Sequence, residues 1–356
     1  MTRRRSDRPR IVCPRCWDSF VWEYDDSRVW MHPDDGGALT EVDLTDRGAA
    51  KRADYLRRGY RPCPNPSDDM AAHFIPANYG NAGQALSIGL VGPSESGKSH
   101  LLAAMIREAL AEGLVPYGLE VARLDLRRHA EFERQQIARL VAGRAIEATS
   151  RGVTDYADML VVRRIRDGVT RTLTFFDVAG EDLRANDHRN QITARFLIGQ
   201  PALIFVHAAG AGREVQRDNN ETALALGRLE AVPTCRRLPA TIALTMADRL
   251  RFTSPVDRWI ARPSDRVDAA ERRAESRDLY AYLYAERAEG ALAPFTFFDR
   301  CTLHAVSATG SDAVVTSSGE RAFVHGYRPM RVLEPLVSLL CMAGVIEGRE
   351  ASKVGR

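Results

Sequence analysis

The sequence predicts an α/β domain, built on a mostly parallel sheet with helices on both faces and preceded by a small module of different composition. From about residue 84 onward, short apolar runs alternate with amphipathic segments, as in strand–helix repeats that form parallel sheets. Residues 1–80 instead hold three of the four tryptophans and three of the six cysteines, together with turn-rich stretches. We therefore predict a module and linker over residues 1–80 and a larger domain over residues 84–349.

The elements of the larger domain follow from its apolar periodicity. Strands are predicted at residues 86–91, 159–166, 172–177, 202–207, 240–245 and 302–306. Helices are predicted at residues 98–111, 130–145, 220–230, 269–286 and 332–346. The stretch 247–268 is rich in Arg, Pro and Asp, which predicts an irregular insertion.

Composition and charge argue against several classes of protein. The 356 residues include 50 basic and 47 acidic side chains, a formal net charge of +3. That balance gives no electrostatic argument for nucleic acid or an anionic membrane as a partner. We interpret the basic run at residues 3–5 as a solvated tail. Because no apolar run reaches about 18 residues and no signal-peptide pattern is present, we expect a cytoplasmic protein with reduced cysteines.

The strongest motif is Gly-Pro-Ser-Glu-Ser-Gly-Lys-Ser at residues 92–99, which fits G-x-x-x-x-G-K-[ST] between a predicted strand and a predicted helix. Gly92 and Gly97 allow the backbone to curve closely around phosphates, and the N–H groups at the helix start point at the anion. Lys98 is predicted to direct its ammonium toward the β- and γ-phosphates, and Ser99 to offer its hydroxyl to Mg²⁺. The other predicted nucleotide contacts here are Ser94, Glu95, Ser96 and His100, the last with a helix-surface role as its alternative.

A second motif, Asp-Val-Ala-Gly-Glu, occupies residues 177–181 at the end of a predicted strand. Asp177 is predicted to hold Mg²⁺ through water, opposite Ser99, and the Gly180 N–H to contact a γ-phosphate. The Glu181 carboxylate can orient or activate water. Its charge is unfavourable beside a γ-phosphate unless Mg²⁺ or an arginine compensates for it.

The first switch segment is predicted to supply one more Mg²⁺ ligand from a threonine hydroxyl. Thr149 and Thr154 both precede the predicted strand at residues 159–166 at suitable distances. We take Thr149 as the first choice and leave Thr154 open. For either threonine, the alternative is an ordinary loop or helix-cap role.

Base recognition is predicted from two short motifs that follow later strands. In Thr245-Met246-Ala247-Asp248, the carboxylate can accept two hydrogen bonds from the N1–H and the exocyclic amine of guanine. Adenine lacks that donor pair, so such a site would discriminate against it. Ser307 and Ala308 follow the strand at residues 302–306, and the Ala308 N–H can donate to the guanine oxygen.

The order of these four motifs resembles that of the GTPases of the translation-factor and Ras-like class, over about residues 84–346. The form Asp-Val-Ala-Gly-Glu, together with an N-terminal cysteine module, is similar to the bacterial double-GTPase type 2 family. The resemblance implies a P-loop GTPase fold, binding of GTP and GDP with Mg²⁺, and slow hydrolysis in which Lys98, Gly180 and Glu181 take part. It also implies a regulatory switch in a multi-component bacterial system, including conflict systems, whose partner is a second GTPase or an effector encoded nearby.

Several positions depart from the pattern of those GTPases. Met246 stands where a lysine usually packs along the base, and Glu181 stands where a water-positioning glutamine or histidine is usual. Ser94 and Glu95 occupy loop positions where small residues are common. Two alternatives therefore stay open. One is a nucleotide-binding adaptor with little turnover, and the other is an ATPase whose Asp248 motif is coincidental.

The N-terminal module carries a separate candidate site. Cys13-Pro-Arg-Cys16 has the spacing of a metal-binding knuckle, and Cys63-Pro-Asn-Pro has that of half a second one. We predict a structural Zn²⁺ site of three cysteines and one histidine, with His73 as the fourth ligand and His32 as the alternative. The competing interpretation is three free thiols in a tryptophan-rich core. A closed zinc-ribbon-like site would stabilise a module too small to fold on its core alone.

Overall fold

The computed structural model describes residues 10–33, 37–83, 85–146, 155–178, 196, 199, 202–210, 220–230, 233–262 and 264–355. Four predicted site residues lie outside these ranges: Thr149, Thr154, Gly180 and Glu181. The described ranges include the predicted phosphate-binding motif (residues 92–99), Asp177, the two predicted base-recognition motifs and the candidate zinc ligands.

The N-terminal module contains two small antiparallel sheets. Its elements are β1 (Arg10–Val12), β2 (Ser19–Val21), β3 (Arg28–Met31), β4 (Thr40–Asp43), α1 (Ala49–Arg58), β5 (Tyr60–Pro62) and β6 (Phe74–Pro76). β1 pairs with β2, and the other four strands follow the order β4-β3-β5-β6. Cys13 and Cys16 lie in the turn between β1 and β2, whereas Cys63 directly follows β5 and His73 directly precedes β6. The ligand candidates therefore come from the ends of two hairpins.

The larger domain is built on a seven-stranded sheet. Its strands are β7 (Leu86–Val91), β8 (Leu119–Arg123), β9 (Asp158–Arg164), β10 (Thr170–Asp177), β11 (Ala202–Ala208), β12 (Ala240–Thr245) and β13 (Cys301–Ala305). Their order is β13-β12-β11-β7-β10-β9-β8. β9 is antiparallel to both of its neighbours, and the other adjacent strands pair in parallel. β7, which leads into the phosphate-binding motif, therefore lies at the centre of the sheet.

Helices cover both faces of this sheet. They are α2 (Lys98–Glu108), α3 (Leu126–Phe132), α4 (Ala138–Val141), α5 (Asn220–Glu230), α6 (Val256–Ile260), α7 (Ala269–Ala285), α8 (Glu289–Phe297) and α9 (Glu334–Met342). Successive side chains of a strand point to opposite faces. Thus Leu203 and Phe205 of β11 join one buried cluster with α5 and α8, whereas Ile204 and Val206 join another with α2 and α9. In the described part of the chain, no helix combines the length and apolar character needed to cross a membrane.

The predicted architecture, a mostly parallel sheet with helices on both faces, is confirmed. This architecture is compatible with a P-loop fold. The structure adds the edge strand β8, the helix α8 and a hairpin of β14 (Ala313–Val315) and β15 (Arg321–Phe323). The helix expected at residues 130–145 begins earlier, at Leu126, because the Asp125 side chain accepts a hydrogen bond from the Arg128 N–H and caps it. The predicted irregular stretch 247–268 contains the short helix α6.

Candidate functional site

The phosphate-binding motif forms a tight loop between β7 and α2. A Cβ added to Gly92 would lie 2.3 Å from the carbonyl oxygen of Val206 on the neighbouring strand β11. Gly97 precedes α2 in the left-handed region, with φ 87°. Larger side chains are excluded at the first position by contact and disfavoured at the second by backbone conformation. The loop therefore has the close backbone curvature that a phosphate cradle requires.

Gly92→Ala is expected to lower the free energy of unfolding by about 1–3 kcal/mol, because the new methyl group would meet a backbone atom of the central sheet. Chemical denaturation measures this change. Gly48→Ala is the matched control, since a Cβ at Gly48 meets nothing within 4 Å. We expect the control to stay within about 0.5 kcal/mol of the parent chain. Equal stability of the two variants would contradict the tight packing of this loop.

The polar groups of the loop suit an anion. The Ser96 hydroxyl is buried and has no hydrogen-bond partner among the described residues. The first N–H groups of α2, which follows directly, lack acceptors within the helix, as at any helix start. The Lys98 Nζ donates to the carbonyl oxygens of Gly92 at 2.8 Å and Pro93 at 2.7 Å. Ser94 and Glu95 are exposed at the rim of the loop. A bound phosphate would satisfy the buried donors of this cradle.

Burial lowers the pKa of Lys98, while the carboxylates of Asp177 and Glu221 act against that shift. Glu221, in the first turn of α5, was not predicted from the sequence. A glutamate at the start of a helix is ordinary by itself, and only the fold brings its charge near Lys98. The site therefore carries two acidic groups close to its one buried ammonium.

Ser99 and Asp177 meet beside the loop. The Ser99 Oγ donates a hydrogen bond of 2.6 Å to the Asp177 Oδ2. Asp177 ends β10, which runs parallel to β7 and places this residue opposite Leu90, two residues before the loop. Both groups offer hard oxygen atoms, which are the ligands that Mg²⁺ prefers. The two residues predicted to hold Mg²⁺ on this face thus come together, 78 positions apart in the sequence.

The predicted base motifs lie at the same edge of the sheet, after β12 and β13. The Thr245 Oγ1 donates to the carbonyl oxygen of Ser96 at 2.6 Å, which ties the first motif to the phosphate loop. The Ser307 Oγ donates to the Asp248 Oδ1 at 2.6 Å and accepts from the Gly310 N–H at 2.8 Å. These contacts fix the orientation of the Asp248 carboxylate. Ligands of parallel α/β sheets bind at this carboxyl edge.

Two further residues border these loops. Met246 has φ 53°, and its Cε lies 3.6 Å from the position of a Cβ built on Gly97, so its side chain packs against the phosphate loop. Ala308 is buried beside Ser307. The contacts of Thr245, Met246 and Ser307 join the base motifs and the phosphate loop into one continuous region.

His100, a predicted nucleotide contact, is hydrogen-bonded and packed within the protein. Its Nε2 accepts a hydrogen bond from the Ile146 N–H at 3.1 Å, and its ring packs edge-on against Phe323 of β15. Burial, with a smaller contribution from the Arg321 charge, lowers the pKa of His100 to about 4. A neutral imidazole that holds Ile146 in place is a packing role. Contact of His100 with a nucleotide stays a prediction.

The second site is a buried group of three thiols and one imidazole in the N-terminal module. The ligand atoms of Cys13, Cys16, Cys63 and His73 all lie within 4.8 Å of one another. The Cys13 Sγ is 3.2 Å from the His73 Nε2, and the Cys16 Sγ is 3.7 Å from the Cys63 Sγ. This group can hold a metal ion such as zinc. His32, the alternative fourth ligand, is not part of this group, and its Nδ1 lies 3.3 Å from the carbonyl oxygen of Gly37.

The surroundings of the four groups also fit a metal. The N–H of Arg15 donates to the Cys13 Sγ and that of Asn65 to the Cys63 Sγ, each at 3.4 Å. The His73 Nδ1 lies 3.0 Å from the carbonyl oxygen of Ala71, which it can bond as a donor, leaving Nε2 as the ligand atom. Burial raises the pKa of Cys13, whereas hydrogen bonds from the other two thiols lower the pKa of Cys63. The protein by itself thus stabilises the thiolate of one cysteine. A bound cation would be needed to keep all three cysteines in the thiolate form.

A third polar cluster has the geometry of a hydrolase triad but is closed to solvent. The His304 Nδ1 lies 2.9 Å from the Glu275 Oε2, and its Nε2 lies 2.9 Å from the Ser338 Oγ. All three residues are at most 1% exposed. Burial acts to raise the pKa of Glu275, but His304 and Arg331 outweigh it, and the pKa is lowered. Because a substrate cannot reach the Ser338 hydroxyl, we assign this cluster to the core.

Comparison with known proteins adds no family to this picture. No protein-family model matches the chain. A search of the curated proteins also finds no match. The resemblance to GTPases, and to the double-GTPase type 2 family in particular, therefore stays a prediction carried by the motifs. The geometry itself defines an α/β domain with a tight glycine-containing loop between β7 and α2, and a module with a candidate metal centre.

Proposed function

We propose that this chain binds a guanine nucleoside triphosphate with Mg²⁺ at residues 92–99 and acts as a regulatory switch. The observation that carries the proposal is the 2.6 Å hydrogen bond between Ser99 and Asp177 beside a loop with a buried lysine. The N–H groups of the loop and the Lys98 ammonium would hold the phosphates. Ser99 and Asp177 would hold Mg²⁺, whose charge offsets that of the phosphates.

Guanine is the proposed base because Asp248 is buried, oriented by Ser307 and joined to the phosphate loop through Thr245. One of its carboxylate oxygens is engaged by the Ser307 hydroxyl. The carboxylate would accept from the N1–H and the amine of guanine, and it would find no matching donor pair on adenine. A nucleotide titration tests this choice: GTP should bind at least about 100-fold more tightly than ATP. Equal affinities would favour the ATPase alternative.

Asp248→Asn is expected to weaken GTP binding roughly 100-fold, because an amide N–H₂ would face the guanine donors. The same amide can donate to the C2 carbonyl of xanthine, so XTP binding should improve. Asn retains an oxygen that can accept from Ser307, which limits structural damage. Asp265→Ala, on an exposed residue, serves as the control and should bind GTP normally. A variant that keeps its GTP affinity would contradict a role for Asp248 in base recognition.

We propose slow hydrolysis, with output through protein partners rather than through rapid turnover. The two acidic groups near Lys98 are consistent with a site that holds Mg²⁺ firmly. Multiple-turnover phosphate release, with Asp177→Ala as the inactive control, separates a slow GTPase from a binding adaptor. A partner would be a second GTPase or an effector protein, and the proposed location is the cytoplasm.

We further propose that the ion held by Cys13, Cys16, Cys63 and His73 is Zn²⁺ with a structural role. Three thiolates and one imidazole form a donor set typical of structural zinc sites. The four residues use every position of a tetrahedral ion, which leaves none for a substrate. Elemental analysis of the protein purified without chelator tests the assignment, with one zinc per chain as the expected result.

A further inference from the structure

The metal-binding turn at residues 13–17 contacts the larger domain through Arg15 and Trp17. The Arg15 Nη2 donates to the Asp155 Oδ2 at 2.7 Å. In the sequence, Asp155 directly follows Thr154, one of the two candidate switch threonines. The Trp17 ring packs on Phe176, which directly precedes Asp177 in β10. One short turn therefore contacts two residues that adjoin, in the sequence, predicted Mg²⁺ ligands: Phe176 before Asp177, and Asp155 after the candidate Thr154.

The contact of Trp17 is the more extensive of the two. Its ring centroid lies 5.3 Å from that of Phe176 and 5.3 Å from that of Phe196. The two phenylalanine rings are themselves 4.9 Å apart. A Cβ added to Gly199 would lie 2.9 Å from the Trp17 ring, so this residue packs closely as well. The three rings form a cluster directly beside the end of β10, and Trp17 is the member supplied by the module.

The position of Trp17 depends on the shape of the turn. The residue has φ 67°, a conformation that a bulky side chain rarely adopts. Its N–H donates to the Cys13 carbonyl oxygen at 3.1 Å, so the backbone folds back on the first ligand. Cys16, directly before Trp17, is the second ligand. A bound ion would fix both cysteines and with them the direction in which Trp17 leaves the turn.

A short series of contacts connects the two sites. Cys16 is bonded through the backbone to Trp17, which packs on Phe176, and Phe176 is bonded through the backbone to Asp177. The Asp177 carboxylate accepts the hydrogen bond from Ser99. A change in the turn therefore reaches a proposed Mg²⁺ ligand across one noncovalent contact. The ion pair of Arg15 with Asp155 gives the turn a second, independent contact.

From this arrangement we propose that the metal-binding turn positions the end of β10 for Mg²⁺–nucleotide, so that metal occupancy raises nucleotide affinity. Arg15 and Trp17 are positioning residues in this proposal, acting through Asp155 and Phe176. The inference rests on the proposed nucleotide-binding function. Linkage requires that the effect be reciprocal, so bound nucleotide must raise the affinity for the metal by the same factor.

The reciprocal effect is measurable on the intact chain. Zn²⁺ affinity is determined by competition with a chromogenic chelator, without nucleotide and with saturating Mg²⁺ and a non-hydrolysable GTP analogue. We expect roughly 10-fold tighter Zn²⁺ binding with nucleotide, within the usual range of coupling between two sites. An unchanged Zn²⁺ affinity overturns the inference. The readout is metal binding, so it does not depend on turnover.

Variants that keep all four metal ligands test whether Trp17 and Arg15 carry the coupling between the metal and the nucleotide. Trp17→Leu and Arg15→Ala should retain one Zn²⁺ per chain while reducing the nucleotide-dependent gain in Zn²⁺ affinity, Trp17→Leu to about twofold or less. Arg28→Ala is the matched control, because it removes another ion pair of the same module, with Glu41. It should leave the coupling unchanged. If Trp17→Leu kept the full nucleotide-dependent gain in Zn²⁺ affinity, coupling through the contact of Trp17 with Phe176 would be overturned.

The proposed nucleotide binding and the proposed coupling of metal to nucleotide are contradicted by different results. If equilibrium titration detects no binding of the GTP analogue to the zinc-loaded chain, the proposed function fails and this inference fails with it. If the analogue binds with equal affinity to the zinc-loaded chain and to zinc-loaded Trp17→Leu, nucleotide binding stands and only the inference fails. Thermal unfolding of each variant shows whether it is folded at the temperature of the titration.

Discussion

Lys98→Ala is expected to weaken nucleotide triphosphate binding by about 1,000-fold, the largest loss among single changes in the phosphate loop. The Lys98 ammonium is buried and lies within hydrogen-bonding distance of two loop carbonyls. Directed at phosphate oxygens, it would make two charge-assisted hydrogen bonds, each contributing about 1.5–3 kcal/mol. Their loss corresponds to roughly 4 kcal/mol in binding free energy. Equilibrium titration with a fluorescent GTP analogue measures the change.

Lys51→Ala is the matched control, since Lys51 is exposed on α1 in the other module. It removes the same charge and leaves the loop intact, so the affinity should not change. Lys98→Arg keeps the charge but replaces a compact ammonium with a planar guanidinium of different hydrogen-bond geometry, so it should also bind poorly. Retention of nucleotide affinity in Lys98→Ala would contradict the proposed phosphate site.

The second large effect is expected from Cys63→Ser, which should abolish stoichiometric metal binding and destabilise the N-terminal module by on the order of 5 kcal/mol. Metal–ligand interactions would substitute for the large hydrophobic core that a small module cannot provide. In the described part of this module, the separate buried cluster beneath α1 contains only Val29, Leu44 and Ala77. Metal content per chain and thermal unfolding are the measurements. Three of the four tryptophans lie within residues 1–80, so tryptophan fluorescence reports mainly on the module.

Cys235→Ser provides the control for the loss of a buried thiol. Cys235 is also buried, but it lies in the larger domain and outside the group of candidate ligands. This variant should keep its metal and show only a modest loss of stability from burying a hydroxyl. A Cys63→Ser variant with full metal content, or with an unchanged unfolding midpoint, would contradict a structural metal site.

Local sequence signals were sufficient to predict the central strands of the large sheet and the loop at residues 92–99. β7, α5 and β12 have the predicted boundaries, because short aliphatic runs and an amphipathic helix leave few alternatives once turn residues flank them. β8 was missed because only one of its five residues is fully buried, so it shows no clear apolar alternation. α3 was placed too late because its first residues gain their helical start from a side-chain cap rather than from apolar spacing.

The tertiary structure decided between the two histidines proposed as the fourth metal ligand, in favour of the predicted His73. The sequence favoured His73, the histidine nearest to Cys63, but left His32 open as the alternative. The antiparallel pairing of β5 and β6 brings the end of one strand beside the start of the other, so His73 faces Cys63 across a single hairpin. A backbone hydrogen bond of 2.9 Å from the Cys63 N–H to the His73 carbonyl oxygen closes this hairpin.

The sequence by itself determined which residue types are available for the proposed phosphate, Mg²⁺, base and metal sites, and in what order they occur along the chain. The reason is that each motif is local: glycines, a lysine or a cysteine pair must have fixed spacing to do their chemistry. The motifs also predicted that Asp177 lies opposite Ser99, and the parallel pairing of β7 and β10 is how the fold brings the two together. Only the tertiary structure decided that the module packs on the sheet and places Trp17 beside Phe176. This contact joins residues far apart in the chain, and no local pattern encodes it.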